Sequence, residues 1–409
     1  MRINNGGFLN KFKSISIDFI YNILSSLIIT GVSQVIVYPI LAAQYSDTEY
    51  GIILTVMGIV NTLIVAFGNT LNNVRLIMAT EYELKNKTGD FNLLVIVTSL
   101  IVFLCTLVIS TCFFSVPLYA VVGLGLFAVL GTIKSYYCVS FRLVLNFKKI
   151  LLQHIVGAVG YLVGIGLLLL LPYWVLPFLL AEGFQVVFIF KYSKLHKEPL
   201  KTTSLLKRTS LKYTILILTG FSSTLITYLD RIVIYPLLGA GAVSTYTVAS
   251  YFGKSLGILM IPVAGVLLGY YAQKGFKMSL RLFWTINGTT IVIGAIFMIF
   301  SSIVAPPITK FLYPSLYENA QAYIVVANMA ATINVLCSLT QASVLKFAPT
   351  WIQIIKELAY GIVYVLCGYF LLNSYGLMGF CVAAIAANII KLAVLYSIGS
   401  AYIGKQKTC

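Results

Sequence analysis

The sequence VIVYPIL at residues 35–41 is repeated in similar form as IVIYPLL at residues 232–238, an offset of 197 residues. A short turn and the start of another helix that contains an aromatic residue follow each copy, at Glu49-Tyr50-Gly51 and at Thr245-Tyr246-Thr247. An internal repeat of this kind predicts that the chain consists of two related halves. The longest polar interruption, residues 191–212, divides the chain between the two copies.

Long apolar stretches fill most of the chain on both sides of that interruption. Hydrophobic residues make up 60% of the 409 positions and charged residues only 10%, whereas soluble domains have about 25% charged residues. A helix needs about 20 apolar residues to cross a bilayer. Stretches near that length lie at residues 18–42, 51–72, 92–113, 116–140, 150–171, 173–190, 214–237, 241–269, 282–304, 320–344, 350–372 and 377–403. The sequence therefore predicts an all-α polytopic membrane protein with about twelve transmembrane helices.

The distribution of basic residues predicts the orientation of these helices. With a cytoplasmic N-terminus, 22 of the 28 Lys and Arg residues fall on the cytoplasmic side, five fall within spans, and Lys310 lies in an external loop. Such an asymmetry follows the positive-inside rule. We therefore expect a multi-pass protein of the cytoplasmic (inner) cell membrane with both termini in the cytoplasm. The net charge of +17 then reflects topology and contact with membrane lipids rather than binding of nucleic acid.

The repeat also predicts how the halves are organised. We expect an N-terminal six-helix lobe at residues 1–190, a basic cytoplasmic linker at 191–212 and a C-terminal six-helix lobe at 213–409. Because six is even, both lobes enter the membrane from the same side, which predicts a pseudo-two-fold axis along the membrane normal and a cleft between the lobes. Polar residues expected to line the cleft include Asn22, Ser25, Ser26, Ser33, Gln34, Asn61, Asn69, Asn72, Ser222, Ser223 and Thr224. Pro39, Pro177, Pro236 and Pro262 predict helix kinks.

Charged residues inside the predicted spans are the candidate functional groups. They are Lys134, Glu182, Asp230, Arg231, Lys254, Lys356, Glu357 and Lys391. Each costs about 3 kcal/mol or more at the bilayer centre and is expected to face a partner or water. Five positive and three negative charges make the set mildly cationic, which would attract an anionic head group. The alternatives are that Lys134 and Lys356 extend to the cytoplasmic surface and that Glu182 and Lys391 form a structural pair between the halves.

Four segments resemble one family of transporters. They are TYLDRIVIYPLLGAGAVSTYTVASYFGK (227–254), YPILAAQYSDTEYGIILTV (38–56), SYGLMGFCVAAIAANIIKL (374–392) and FRLVLNFKKILLQHIVGAV (141–159). Together they are similar, in order and spacing, to the Wzx-type polysaccharide transporters of the multidrug/oligosaccharidyl-lipid/polysaccharide exporter (MOP) superfamily. The resemblance implies two six-helix bundles that form a V around a central cavity.

The resemblance also implies a cargo and a mechanism. The cargo would be a polyprenyl-pyrophosphate-linked oligosaccharide repeat unit, a precursor of O-antigen or capsular polysaccharide, which a monomeric flippase exports by alternating access. Arg231, Lys254, Lys134 and Lys391 would bind the pyrophosphate, and Asp230, Glu182 and Glu357 are candidates for pairing or for binding a coupling H+ or Na+ ion. We expect no cofactor, metal or enzymatic activity, and association with polysaccharide polymerase machinery is a further implication.

Three alternatives remain open at this point. One is a flippase for lipid II or another lipid-linked glycan, although the lipid II branch usually carries two additional helices. Another is a drug/cation antiporter, which would need an acidic cluster in the N-terminal lobe, where Glu182 is the available carboxylate within the predicted spans. The last is a membrane glycosyltransferase or polymerase, for which the short external loops leave no room for a catalytic domain.

Overall fold

The computed structural model describes residues 20–114, 116–271 and 278–405, which form helices joined by short turns and contain no strand. The N-terminal half of the chain contains α1 (Ile20–Gln44), α2 (Asp47–Leu84), α3 (Asp90–Cys112), α4 (Leu118–Leu143), α5 (Phe147–Leu168) and α6 (Leu176–Tyr192). Then follow α7 (Leu206–Thr227), α8 (Leu229–Leu238), α9 (Ala240–Ala249), α10 (Tyr251–Tyr271), α11 (Leu280–Leu312), α12 (Pro314–Ala320) and α13 (Ile324–Phe347). The helical run Thr350–Lys405 is broken at Gly376, where φ is 60° and ψ is −148°, into α14 (350–375) and α15 (377–405).

Each of the twelve predicted spans coincides with one of these helices or with a consecutive pair. Predicted span 214–237 is divided at Tyr228 into α7 and α8, and span 241–269 is divided at Ser250 into α9 and α10. Within the described ranges, eight helices are long and apolar enough to cross a membrane, with Trp351–Gly404 counted as one. The predicted all-α, multi-pass architecture is confirmed. The predicted cytoplasmic residues Arg2, Lys11, Lys13, Lys274, Lys277 and Lys407 lie outside the described residues.

The prolines predicted to kink helices have different local structures at Pro39, Pro177 and Pro236. In α1, a π-helical turn at Ser33–Val37 precedes Pro39, which has no N–H to donate to the carbonyl of residue 35. Pro177 does not kink a helix, because it stands in the first turn of α6, where a missing N–H leaves no helical hydrogen bond unmade. Pro236 lies inside α8, which ends two residues later before Gly239 at φ 80°. The side chains of Pro262, Ser222, Ser223 and Thr224 lie outside the described part of the chain.

The chain divides into two compact units whose boundaries differ from the sequence repeat. Unit 1 contains Met1–Tyr38 and Val56–Leu225, and unit 2 contains Pro39–Thr55 and Ile226–Cys409. The end of α1 and the beginning of α2 thus belong to unit 2. Two hydrogen bonds hold them there, from Ser315 Oγ to the Ala42 carbonyl at 3.1 Å and from Asn319 Nδ2 to Asp47 Oδ2 at 2.8 Å.

The polar segment after α6 is packed against unit 1. Asp90, at the start of α3, is fully buried. Its carboxylate accepts hydrogen bonds from the Thr203 backbone N–H at 2.6 Å, from Thr203 Oγ1 at 2.5 Å and from Tyr82 Oη at 2.7 Å. An ionised acceptor makes each of these bonds stronger than a neutral pair. Much of the segment predicted as a linker is therefore fixed to the beginning of α3.

A buried ion pair and one asparagine fix the same segment at its beginning. Arg75 on α2 contacts Glu198 at 2.6 Å, with only 9% and 14% of the two side chains exposed. The Arg75 guanidinium also lies 4.7 Å from the centre of the Phe91 ring. Asn92 Nδ2 donates to the carbonyls of Leu195, His196 and Glu198. The core beneath these contacts includes Leu71, Val74, Met78, Phe91 and Tyr136.

Candidate functional site: paired and unpaired charges

In unit 2, one ion pair joins the beginning of α8, which follows the break at Tyr228, to the beginning of α10, which follows the break at Ser250. Asp230 lies in the first turn of α8, and Lys254 lies in the first turn of α10. Lys254 Nζ contacts Asp230 Oδ2 at 2.5 Å, and 41% of the lysine side chain but only 7% of the aspartate is exposed. The lysine also lies 5.2 Å from the centre of the Tyr246 ring. Lys254 is thus tied to a buried carboxylate but still reachable.

Arg231 points away from this pair, as expected for its neighbour on a helix. Its Nη1 donates to the Leu54 carbonyl on α2, and its guanidinium carbon lies 5.3 Å from the centre of the Tyr228 ring. Its Nε is buried and has no hydrogen-bond partner among the described residues. No carboxylate of the described chain forms an ion pair with this guanidinium, although the Asp230 carboxylate is near enough to interact with it electrostatically.

Two further lysines of unit 2 have different surroundings. Lys356 Nζ contacts Glu357 Oε1 and Gln341 Oε1, both at 2.5 Å, and only 4% of its side chain is exposed. It does not extend to the surface. Lys391 lies 4.2 Å from the centre of the Tyr360 ring and 3.5 Å from Asn334 Oδ1. It has no carboxylate partner in the described ranges.

In unit 1, Lys134 and Glu182, which both lie within predicted membrane spans, form an ion pair with each other. Lys134 Nζ on α4 donates to Glu182 Oε1 on α6 at 2.8 Å, and 23% and 9% of the two side chains are exposed. Glu182 therefore has a lysine partner within its own unit, and the alternative of a pair with Lys391 stays a prediction. Because α4 and α6 pack against each other, Lys134 and Glu182 meet within one unit.

The eight charged residues thus fall into two groups. Each of the three carboxylates has a lysine partner, in the pairs Lys134–Glu182, Lys254–Asp230 and Lys356–Glu357. The two remaining cations, Arg231 and Lys391, each lie over a tyrosine ring. Cation–π contact offsets part of the cost of a charge in an apolar environment but does not neutralise it. In the described part of the chain, the positive surplus of this set resides in unit 2.

Unit 1 contains a cavity of about 720 Å³ with both polar and apolar side chains in its wall. It is lined by Asn22, Asn61, Ile64, Val65, Asn69, Asn72, Leu76, Lys134, Ser135, Cys138, Arg142, Leu145, Phe147, Ile150, Gln153, His154 and Glu182. A π-helical turn at Val65–Asn69 in α2 contributes to the wall, and such turns often occur at functional sites. The predicted polar residues Asn22, Asn61, Asn69 and Asn72 therefore share one cavity.

Comparison with known proteins identifies the fold. The sequence matches no protein-family model, and the comparison with curated proteins gives no match. An inward-facing multidrug resistance MATE transporter of the MOP superfamily aligns with a TM-score of 0.70 and 14% identity over 96% of each chain. The chain has the MATE transporter fold. The Vibrio cholerae MATE transporter VcmN in its bent form aligns with a TM-score of 0.59 and 12% identity over 97% of this chain and 98% of that chain.

A lipid II flippase has the same fold. MurJ in an inward closed conformation aligns with a TM-score of 0.61 and 15% identity over 93% of this chain and 85% of that chain. At such identities the likeness establishes the fold alone. The predicted fold of about twelve transmembrane helices in two bundles is confirmed, and the function has to be argued from the side chains of this chain.

Within this MATE fold, sequence reasoning missed several polar residues. Arg142 Nη1 donates to Asn72 Oδ1 at 2.6 Å, and Asn72 Nδ2 donates to the Ser135 carbonyl at 2.8 Å. Gln153 Nε2 donates to Gln185 Oε1 at 3.2 Å. A single glutamine in an apolar stretch gives a weak signal, because it carries no charge. The positions of Arg142 on α4, Gln153 on α5 and Gln185 on α6 become informative only once those helices are known to be neighbours, whereas Asn72 on α2 is one of the predicted polar residues.

The Asp230–Lys254 pair makes a stability prediction. Replacing Lys254 with methionine leaves a buried carboxylate without its ammonium partner, and we expect a loss of about 3 kcal/mol in the free energy of unfolding. The double variant Asp230→Asn/Lys254→Met should recover most of that loss, because no charge then remains buried. Thermal unfolding in detergent, followed by scanning fluorimetry, measures both, with Lys346→Met at an exposed helix end as the control. Equal unfolding temperatures for the single and double variants would contradict the pairing.

Proposed function

We propose that this protein is a flippase that carries a polyprenyl-pyrophosphate-linked oligosaccharide across the cytoplasmic membrane. The observation that carries the proposal is that two cations, Arg231 and Lys391, form no ion pair with a carboxylate of the described chain although they lie within predicted membrane spans. An unneutralised charge at such depth is costly and is retained where it meets an anion. The MATE fold, which the lipid II flippase MurJ shares, supports a transporter.

A pyrophosphate fits the chemistry of these side chains. Its oxygens accept hydrogen bonds only, and guanidinium and ammonium groups donate to them with charge assistance. Arg231 retains an unpartnered buried Nε, and Lys254 is exposed enough to exchange the carboxylate of Asp230 for a phosphate. The polyprenyl chain would remain in lipid. In a cell that is negative inside, outward movement of each negative charge is favoured by about 2.3 kcal/mol per 100 mV.

The proposed cycle is alternating access without a chemical step. Lys254 releases its phosphate when Asp230 again takes the ammonium, which returns the site to the paired state of the present structure. Asp230, Glu182 and Glu357 each have a lysine partner, so a coupling H+ or Na+ ion would have to bind at a carboxylate after its lysine moves away. The membrane potential is therefore the simplest driving force for the proposed export.

Reconstitution in liposomes tests the proposal. Purified protein should move a fluorescently labelled undecaprenyl-pyrophosphate oligosaccharide between leaflets without changing its mass, whereas a polymerase or glycosyltransferase would change it. We expect Arg231→Gln/Lys391→Gln to slow translocation by about tenfold or more, the value of one charged hydrogen bond. Asp230→Asn/Lys254→Gln should also slow it without loss of fold. Lys346→Gln is the matched control and should translocate normally.

Two results would overturn the proposal. One is translocation by Arg231→Gln/Lys391→Gln at the rate of the unmodified protein, since the anchors would then be unnecessary. The other is a wild-type protein that leaves the lipid in place but exports a cationic dye. The MATE transporters that align with the chain make drug/cation antiport the second candidate. Against it, each intramembrane carboxylate of the described residues is already neutralised by a lysine.

A further inference from the structure

Two lysines lie over one tyrosine ring where α5 begins and α6 ends. Lys149 Nζ lies 5.4 Å and Lys191 Nζ lies 5.6 Å from the centre of the Tyr192 ring. The two helices are neighbours in unit 1, with α5 beginning at Phe147 and α6 ending at Tyr192. Lys148 is exposed, and so is 46% of Tyr192. We call Lys148, Lys149, Lys191 and Tyr192 the Tyr192 cluster.

The positive charge of the Tyr192 cluster is not compensated within the described chain. In the described ranges, none of its three lysines forms an ion pair with a carboxylate. Other basic residues of unit 1 do have one, since Arg75 contacts Glu198 at 2.6 Å and Arg208 contacts Glu81 at 2.7 Å. Two ammonium groups beside one ring repel each other, and cation–π contact offsets part of that cost. An anion beside them would reduce the repulsion.

The Tyr192 cluster lies at the level expected for lipid head groups. Its residues flank the predicted spans 150–171 and 173–190, on the side predicted to be cytoplasmic. Tyrosine and lysine suit this level of a membrane protein, because each has an apolar body and a polar end. Leu152 lies one helical turn from Lys148, Val187 lies one turn from Lys191, and 41% and 68% of these two apolar residues are exposed. Residues four apart share a helix face, so apolar surface adjoins the charges on the membrane side.

These surroundings favour an anion that carries apolar chains. A soluble phosphate would contact the ammonium groups but would leave the apolar surface without a partner. An acidic protein segment would not reach that surface, because it lies within the predicted spans, where unpaired backbone groups are excluded. A phospholipid with one anionic phosphate fits both parts, since the phosphate accepts charge-assisted hydrogen bonds and the acyl chains lie along the apolar surface. Basic clusters of this kind bind anionic head groups in other membrane proteins.

We propose that the Tyr192 cluster binds an anionic phospholipid of the surrounding bilayer. Lys149 and Lys191 hold the phosphate from two different helices, and Lys148 adds a third ammonium group. The bound lipid thereby joins the beginning of α5 to the end of α6. The inference does not depend on the proposed function, because the site lies within unit 1 and uses none of the cations that are proposed to bind the cargo.

Native mass spectrometry of the purified protein tests the site with two probes, dioleoyl phosphatidylglycerol and dioleoyl phosphatidylcholine. These lipids share their acyl chains and differ in net charge. We expect tighter binding of phosphatidylglycerol to the unmodified protein. Lys149→Gln/Lys191→Gln should weaken that binding by about tenfold, the value of one charged hydrogen bond, and leave phosphatidylcholine unaffected. Lys197→Gln/Lys207→Gln is the matched control, because it removes two exposed lysines from the same predicted side and leaves the cluster intact.

Thermal unfolding in detergent gives an independent measurement. A ligand that binds only the folded protein stabilises it, so phosphatidylglycerol should raise the unfolding temperature of the unmodified protein and of Lys197→Gln/Lys207→Gln. The rise should be absent in Lys149→Gln/Lys191→Gln. Tyr192→Leu should also lose most of it, because the ring that both ammonium groups contact is then missing.

Four results would overturn the site. Equal weakening by both double variants would show a response to net charge alone. Equal affinity of the unmodified protein for the two lipids would show that only acyl chains are held. Displacement of phosphatidylglycerol by an equimolar amount of glycerol phosphate would indicate a site for soluble phosphate. A higher affinity for undecaprenyl pyrophosphate than for phosphatidylglycerol, lost in Lys149→Gln/Lys191→Gln, would assign the cluster to the cargo.

Discussion

Replacing Gly51 with alanine is expected to cost about 3 kcal/mol in the free energy of unfolding, the upper end of the usual range for overpacking, because the atoms in the way belong to the backbone. A Cβ at Gly51 would overlap the carbonyl group of Ala240, so α2 and the start of α9 would have to separate. Small residues permit such close helix approaches in membranes. Gly51 also lies one turn before Leu54, whose carbonyl accepts from Arg231, so transport should fall together with stability.

Gly241→Ala is the matched control for this variant. Gly241 is the residue after Ala240, and a Cβ there would meet no atom within 4 Å. Alanine in a helix is favoured over glycine by about 0.5–1 kcal/mol, so this variant should be neutral or slightly stabilised. Unfolding temperatures in detergent compare the two. Equal temperatures for Gly51→Ala and Gly241→Ala would show that the close approach of α2 and α9 is not required.

Asp90→Ala is the second large effect, and it acts on the segment that follows α6. The variant leaves the Thr203 N–H and hydroxyl without their acceptor and removes one partner of Tyr82. Hydrogen bonds to a charged group contribute about 1.5–3 kcal/mol each, so we expect a loss of about 3 kcal/mol or more. Thr203 lies two residues after Lys201, so trypsin should cut after Lys201 much faster in the variant, whereas Lys194 and Lys197 lie beside contacts that remain in place.

Asp47→Ala controls for the loss of an acidic residue from the first turn of a helix. Asp47 begins α2 as Asp90 begins α3, but it is only partly buried, and its carboxylate accepts a hydrogen bond from Asn319 near the surface. Its replacement should change stability by less than about 1 kcal/mol and leave the trypsin pattern unaltered. Asp90→Asn should be intermediate, because one of its two oxygens remains. If Asp90→Ala shows unchanged cleavage after Lys201, the anchoring of this segment by Asp90 is wrong.

The polar segment 191–212 shows where sequence reasoning stopped. Its seven basic residues predicted a cytoplasmic linker, and composition alone made it resemble a solvated connection. In the structure, Asp90, Asn92 and Arg75 bind it through backbone groups and Glu198. Hydrogen bonds to backbone carbonyls leave no trace in the sequence of the segment that provides them. Such docking is visible only after α2 and α3 have been placed.

The sequence by itself determined the number and approximate bounds of the spans, because the free energy of transferring a helix into lipid depends on its own composition. It also identified the charged residues that need partners. Only the tertiary structure decided which partner each charge has: Glu182 meets Lys134, Asp230 meets Lys254, and Arg231 and Lys391 lie over tyrosine rings. The same holds for the two lysines that lie over the Tyr192 ring. Hydrogen bonds and ion pairs act over a few ångströms, so they depend on which helices are neighbours, and a pattern along one chain does not specify that.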